Sequence, residues 1–254
     1  MKRQASIFSF SILFLAGLLL YNLPEQLAVS SKNFAVVEYF TSDACYRCPA
    51  ADKVVRQMAK EYADKEVFVL AYHVDYRDDS LWRDAFSQPS FSERQRKYGR
   101  RFRLFSVYTP QVIVNGKKEF VGSDKDLLYS SLRTALKDTA ISKVEISTIN
   151  SQGRNDSILI SYKTKAYKEN ILNIALVQKA VEQKIERGAN RGKILQHTNI
   201  VRSFNAIPFI GKKEGTAMLA IPSGISLTDI TVIAFVQNRN TMAITSATAI
   251  SPLD

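Results

Sequence analysis

The chain has 254 residues, 46% of them hydrophobic, and a formal charge of +11, which is enough apolar content to bury a core and excludes a largely disordered protein. Its length leaves room for two modest domains. Positive charge runs throughout, since Lys2, Arg3 and Glu25 are the only charges up to residue 30 and leave +10 beyond it. No Gly-rich phosphate loop, Ser-His-Asp grouping or internal repeat occurs, so nucleotide hydrolysis and acyl transfer find no support.

At the N-terminus, Lys2 and Arg3 precede the apolar stretch Ile7 to Leu20, short for a membrane span and suited to the hydrophobic region of a secretory signal. Residues 1–30 are therefore expected to be a signal peptide, with Ala28-Val29-Ser30 as a small-x-small cleavage site, or else a retained N-terminal anchor. Export, to a bacterial periplasm, would place the cysteines in an oxidising compartment. There a basic protein meets anionic lipid headgroups or acidic client proteins rather than nucleic acid, with a plain solvated surface as the alternative.

Phe34 to Phe40 is short and rich in β-branched and aromatic residues and reads as a buried strand. Pro49 to Asp64 carries apolar residues at Ala50, Val54, Met58, Ala59 and Tyr62 and reads as an amphipathic helix. Between them lie the only two cysteines, Cys45 and Cys48. Cys45 is expected at the helix N-terminus, where free amides and the helix dipole favour a thiolate. Cys48, one turn on, can attack a mixed disulfide formed at Cys45 and release the partner. Arg47 between them adds to the thiolate preference and tends toward an oxidising couple. The same spacing serves half a zinc site, which would need about two more ligands with only His73 and His197 to supply nitrogen, and it also serves an inert structural disulfide.

Val67 to Val74 reads as a second buried strand, parallel to the first, with His73 and Asp75 at the rim of the cysteine site. There His73 is a candidate proton carrier or soft-metal ligand, or a histidine bonded to its neighbour at a strand end. Asp78 to Phe105 is expected to be a partly helical insertion carrying Trp82. Its basic run Arg94, Arg96, Lys97, Arg100, Arg101 and Arg103 is read as a solvated helix face or a patch for an acidic partner. In Val107 to Val114, Pro110 suits a strand start or a cis turn. Asn115-Gly116 signals a hairpin, Glu119 to Gly122 the return strand, and Ser123 or Asp124 a cap for a helix through about Lys137.

This order, with Cys-x-x-Cys at the first helix and Thr109-Pro110 before the hairpin, resembles the thioredoxin superfamily. The resemblance implies a cis Pro110 facing the cysteines, with Thr109 and Pro110 on the client-binding side, and assigns Glu38 to the buried acid that assists proton removal from the resolving thiol; Tyr46 and Arg47, between the cysteines, are further client-binding candidates. Several segments also look like a secreted thioredoxin-like family known only as a domain of unknown function. They are Val37 to Ser42, Cys45 to Asp52, His73-Val74-Asp75-Tyr76, Ser92-Glu93-Arg94-Gln95, Tyr108 to Gln111, Val114-Asn115-Gly116, Arg191-Gly192-Lys193 and His197 to Arg202. This chain has Asp43-Ala44 before the cysteines and Tyr46-Arg47 between them, where that family has a Gln-Gly-like pair and small residues.

Beyond Ile141 seven strand-like runs recur: Lys143 to Ile149, Ser157 to Lys165, Ile171 to Gln178, Ile194 to Phe204, Thr216 to Ile221, Ile230 to Gln237 and Met242 to Ile250. They point to an all-β, sandwich-like domain at 141–254 behind an α/β thioredoxin-like domain at 31–140 that carries the helical insertion at about 78–105. Arg187 to Gly192 reads as a basic loop at the interface of the two, and His197 and Arg202 as structural strand residues. The reading that follows is an exported thiol-disulfide oxidoreductase acting on protein thiols or disulfides through Cys45 and Cys48, with an unidentified redox partner and no cofactor beyond the cysteine pair. The alternatives are a copper-handling protein using Cys45, Cys48 and His73, and a non-catalytic thioredoxin-like binding module.

Overall fold

Strands β2 (Ala35–Thr41) and β3 (Val67–His73) run parallel, joined by α1 (Cys48–Glu61), and β4 (Gln111–Val114) and β5 (Lys118–Val121) add antiparallel strands beside β2. The computed structural model describes residues 28–29, 33–80, 82–149, 156–165, 167–209 and 213–252; the apolar stretch Ile7 to Leu20 lies outside them. Among the described residues no helix is long and apolar enough to cross a membrane.

Both faces of β2 are buried, as a central strand of a mixed sheet requires. Val37 and Tyr39 meet α1 and α3 (Lys125–Ala135) through Val55, Met58, Leu128 and Leu132. Val36 and Phe40 turn the other way, toward Phe91 and Tyr98 of α2 (Pro89–Phe102). The expected local signals hold. Asp124 caps α3 by accepting from the Leu127 N–H at 2.9 Å, and Asn115 and Gly116 both take positive φ at the β4–β5 turn, the backbone that Asn-Gly hairpins favour. A side chain at Gly116 would run into the Met242 carbonyl, so this turn is also packed against the C-terminal part of the chain.

The second half is β-rich, and all seven expected strands are present: β6 (Lys143–Ile149), β7 (Ser157–Lys165), β8 (Asn170–Lys184), β9 (Ile194–Pro208), β10 (Glu214–Ala220), β11 (Ile230–Asn238) and β12 (Ile244–Ile250). Their partners correct the picture of a self-contained sandwich. β9 pairs with the free edge of β3, in parallel at Ala71 and Ile200, and β8, β11 and β12 follow, giving one eight-stranded sheet in the order β12-β11-β8-β9-β3-β2-β4-β5. β6, β7 and β10, with the short β1 (Ala28–Val29), form a separate four-stranded antiparallel sheet. Two-sheet packing does occur: Val144, Ile146, Ile158, Ile160 and Leu219 of the small sheet meet Leu172, Ile174, Leu176, Val232 and Val236 of the large one. The large sheet is shared because β8 and β11 are apolar on both phases. Their alternate residues Ala175, Val177, Ile233 and Phe235 join the core around Phe40 and Tyr72, so a strand beside them buries both faces whichever half of the chain supplies it.

The insertion is helical only in its second part, α2. Its basic run is not one solvated face. Arg94 is buried and its Nε donates to Glu38 Oε1 at 2.5 Å, whereas Arg96 and Arg100 are exposed and pair with Glu93.

Candidate functional site: the cysteine pair and a buried acid-imidazole cluster

Cys45 and Cys48 form a disulfide, with Cα atoms 5.3 Å apart. Cys48 is the first residue of α1 and Pro49 follows in the first turn, where a missing N–H costs nothing. Cys45 stands one turn earlier than expected, in the loop before the helix, where its N–H donates to Ser42 O and its carbonyl accepts from Cys48 N, each at 3.1 Å. The Thr109-Pro110 peptide is cis. Cys45, Tyr46, Arg47, Arg77, Tyr108, Thr109, Pro110 and Val121 line one open groove of about 430 Å³, so the structure brings together the residues expected on the client-binding side. Tyr46 stands 75% exposed on its rim, and Arg77 Nε holds the Thr109 hydroxyl at 2.9 Å. Gly122 packs closely behind the proline: its N–H donates to Pro110 O, and an added Cβ would press on Tyr39, Ala51 and Pro110 at 3.1 to 3.3 Å. The buried Gln95 donates to the Tyr108 carbonyl at 2.7 Å and to Gln111 at 2.9 Å, fixing the backbone just before the cis bond.

Glu38 is not beside the cysteines. Strand alternation sends it to the α2 face with Val36 and Phe40, where its carboxylate accepts from Arg94 and from the Tyr98 hydroxyl. The buried acid on the cysteine side is Asp52, four residues after Cys48 and hence on its helix face. The Tyr39 hydroxyl lies 2.8 Å from Asp52 Oδ1 and 3.3 Å from the Cys48 carbonyl oxygen. Burial raises the pKa of Asp52 above the ordinary aspartate value, against the opposing pull of His197 and the Tyr39 hydrogen bond. Asp75 also lies away from the site, bonded to the Ser92 hydroxyl of α2.

His73 is fully buried rather than at a rim. Its Nδ1 lies 2.7 Å from Asp84 Oδ2, and Asp84 accepts in addition from the N–H groups of Asp43 at 2.8 Å and Phe86 at 2.9 Å. Burial works against the charged imidazole, but the Asp84 carboxylate outweighs it and the His73 pKa is raised; in return Asp84, despite its own burial, is lowered by His73. The second histidine, His197 of β9, packs edge-on against His73 with ring centroids 4.8 Å apart. Its Nε2 lies 2.9 Å from Asp43 Oδ1 and its Nδ1 3.8 Å from Asp52 Oδ2. A cavity of about 10 Å³ adjoins Asp52 and His197. Among the described residues, Asp43 and Asp84 are the ones whose donor atoms gather with His73, all within 4.8 Å of one another.

The basic loop at 187–192 packs against the cysteine loop. Asn190, completely buried, donates through Nδ2 to the carbonyls of Asp43 at 2.7 Å and Cys45 at 3.0 Å, and Lys193 holds its Oδ1 at 2.9 Å. Asp52, Asp84, Asn190 and His197 were absent from the expected site. For Asp52 the signal was an acid one turn after Cys48, and for His197 a histidine in the same inward phase of β9 as Leu195.

The sequence profile of a family described as "Protein of unknown function (DUF1223)" matches residues 36–237. A thioredoxin of Methanocaldococcus jannaschii is 30% identical over 101 residues, which are 39% of this chain and 94% of that protein. A crystal structure of an Agrobacterium tumefaciens protein is similar with a TM-score of 0.64 at 24% identity, covering 87% of this chain and 96% of the other. The last shows a shared fold that includes the β-rich second half.

Proposed function

The chain belongs to the DUF1223 family, whose profile takes in the disulfide, the cis-proline and the Asn190 loop alike, and from that premise we propose that it is an exported thiol-disulfide oxidoreductase acting on protein clients. The observation that carries the reading is the Cys45–Cys48 disulfide at the start of α1 with cis Pro110 on the wall of the same groove. In the reducing direction the Cys45 thiolate attacks one sulfur of a client disulfide, a mixed disulfide forms, and the other client sulfur leaves as a thiolate. Cys48 then attacks Cys45 Sγ, the Cys45–Cys48 bond forms, and the second client thiolate departs; two electrons have passed to the client. Oxidation of a client dithiol is the same path reversed. Asp52, rather than Glu38, takes the Cys48 proton as that thiol becomes a nucleophile, since it lies one helical turn from Cys48 and shares the Tyr39 hydroxyl with the Cys48 carbonyl. Arg47 and Arg77 flank the groove and favour clients with acidic residues near the reacting cysteine. Export is supported by Lys2 and Arg3 ahead of the apolar Ile7 to Leu20.

The test is a resolving-cysteine trap. Cys48→Ala expressed with its leader is expected to accumulate clients on Cys45 as reductant-sensitive conjugates, while Cys45→Ala accumulates none. An empty trap, or equal recovery from both variants, contradicts the proposal.

A further inference from the structure

The only two histidines of the chain, one from each half, are buried against each other beneath the cysteine loop, and neither has an obvious part in thiol exchange. Each Nδ1 faces a carboxylate, Asp84 at 2.7 Å from His73 and Asp52 at 3.8 Å from His197. Each Nε2 is buried without a hydrogen bond, and both oxygens of Asp43, a fully buried residue, also lack one. Asp43 Oδ1 is 2.9 Å from His197 Nε2, close enough for an ion pair but outside hydrogen-bond alignment.

We propose that His73 Nε2, His197 Nε2 and the Asp43 carboxylate form a binding site for a divalent first-row metal ion of the zinc class, with Asp84 holding His73 in the required tautomer. Two imidazoles and a carboxylate are a borderline-to-hard donor set, suited to zinc and its neighbours rather than to monovalent copper. Donors on an ion with bonds of about 2 Å stand roughly 3 Å apart, and the centroids of two imidazoles sharing it roughly 5 Å apart. The observed 2.9 Å between Asp43 and His197 and 4.8 Å between the rings are compatible with these spacings, and donor atoms of Asp43, His73 and Asp84 lie within 4.8 Å of one another. A ligating histidine characteristically gives its other ring N–H to a carboxylate, and that carboxylate is itself held in place. Asp84 meets both conditions through His73 Nδ1 and the N–H groups of Asp43 and Phe86. A cation here would also satisfy the buried acceptor atoms that protein groups leave without a hydrogen bond. The cysteines take no part, being bonded to each other, so the ion would sit below the disulfide and stabilise the Asp43–Cys45 segment from beneath.

The oxidised full chain decides this, because its disulfide removes thiolates from competition. After chelator treatment it is given one equivalent of zinc or cobalt, both in the folded state and during refolding, then separated from free ion. One ion per chain is expected, cobalt showing the strong ligand-field bands of a four- or five-coordinate site, and Cys45→Ala/Cys48→Ala should retain it fully. His73→Gln, His197→Gln and Asp43→Asn should each weaken binding by at least about 100-fold, and Asp84→Asn by about 10- to 100-fold. No retained ion, only the pale spectrum of six-coordinate surface cobalt, or binding indifferent to His73→Gln and His197→Gln would overturn the site. The cobalt bands are read on the unaltered protein, so a misfolded variant cannot mimic either result. Failure here would leave the client trap at Cys45 untouched, and an empty trap would leave the metal titration untouched.

Discussion

Two buried acid clusters flank the central strand β2, and they differ in how completely their charges are met. On the α2 face, Glu38 accepts from Arg94 and Tyr98, Arg94 also donates to Gln237, and Gln237 donates to the Tyr98 hydroxyl at 2.7 Å. On the other cluster, under the cysteines, oxygens of Asp43 and Asp52 and the Nε2 of both histidines have no hydrogen bond, and His197 meets the two acids only as ion pairs at 2.9 and 3.8 Å. A saturated network locks a core, because every member loses a partner if the packing moves. An under-satisfied one holds acids and imidazoles in reserve for protons, ions or changing sulfur chemistry. The difference separates Glu38, whose carboxylate is met by Arg94 and Tyr98, from Asp52 and Asp43, which keep oxygens without a hydrogen bond, although all are buried close to the same strand.

The comparison can be broken most severely at Arg94. Arg94→Ala leaves Glu38 buried and uncompensated and should cost about 3–5 kcal/mol in urea unfolding, while the exchange rate of the cysteine pair in the folded fraction stays unchanged. A coupled loss of exchange chemistry would show that the two clusters are not separate. Asp52→Asn should do the opposite, slowing disulfide exchange at neutral pH by about 100-fold while making the oxidised protein more stable. The sign follows from linkage. The unfolded chain releases the Asp52 proton from the ordinary value of 3.8 upward, whereas the buried folded group holds it. Stability is therefore lost as pH rises from that value toward the raised folded pKa. The Asn variant removes that slope, so its advantage should be present at pH 7 and vanish below about pH 4; denaturant midpoints at both pH values check it.

Smaller effects sharpen the boundary. Asn190→Ala frees the buried carbonyls of Asp43 and Cys45 and should cost about 1–3 kcal/mol, with amide exchange rising in the 43–45 loop rather than along β8 and β9. Tyr46→Ala removes a solvent-facing ring at the groove rim. Stability should move by no more than about 0.5 kcal/mol, and client capture should weaken by about 0.5–1 kcal/mol, measured with a Cys48→Ala background.

What could be read from the chain was what its local order encodes. The cysteine pair before an amphipathic run, the Thr109-Pro110 bond ahead of a β-branched strand, the Asn115-Gly116 turn and the Asp124 cap each declare themselves within about ten residues, and each is present. The seven later strands were legible by alternation, but not their partners: β9 joins β3 through a short parallel contact that no local pattern specifies. That one pairing delivers His197 and, through the loop before it, Asn190. Glu38 was misassigned for a related reason. Alternation puts it with Val36 and Phe40 opposite Tyr39, yet which of those faces meets α1 is a property of packing. Ser92, Arg94 and Gln95 were visible as one segment, though not that they reach Asp75, Glu38 and the Tyr108 carbonyl respectively.

The central claim is that Cys45 and Cys48 cycle between disulfide and dithiol to move electrons. Its most direct measurement is equilibration of the protein in graded glutathione buffers, with thiol content read by mass, together with the rate at which the reduced form attacks a small disulfide. The account predicts a reversible two-electron transition within the range of thioredoxin-like couples, and attack through Cys45 much faster at neutral pH than by free cysteine. A pair that stays oxidised throughout, or a Cys45 no more reactive than free cysteine, would contradict it.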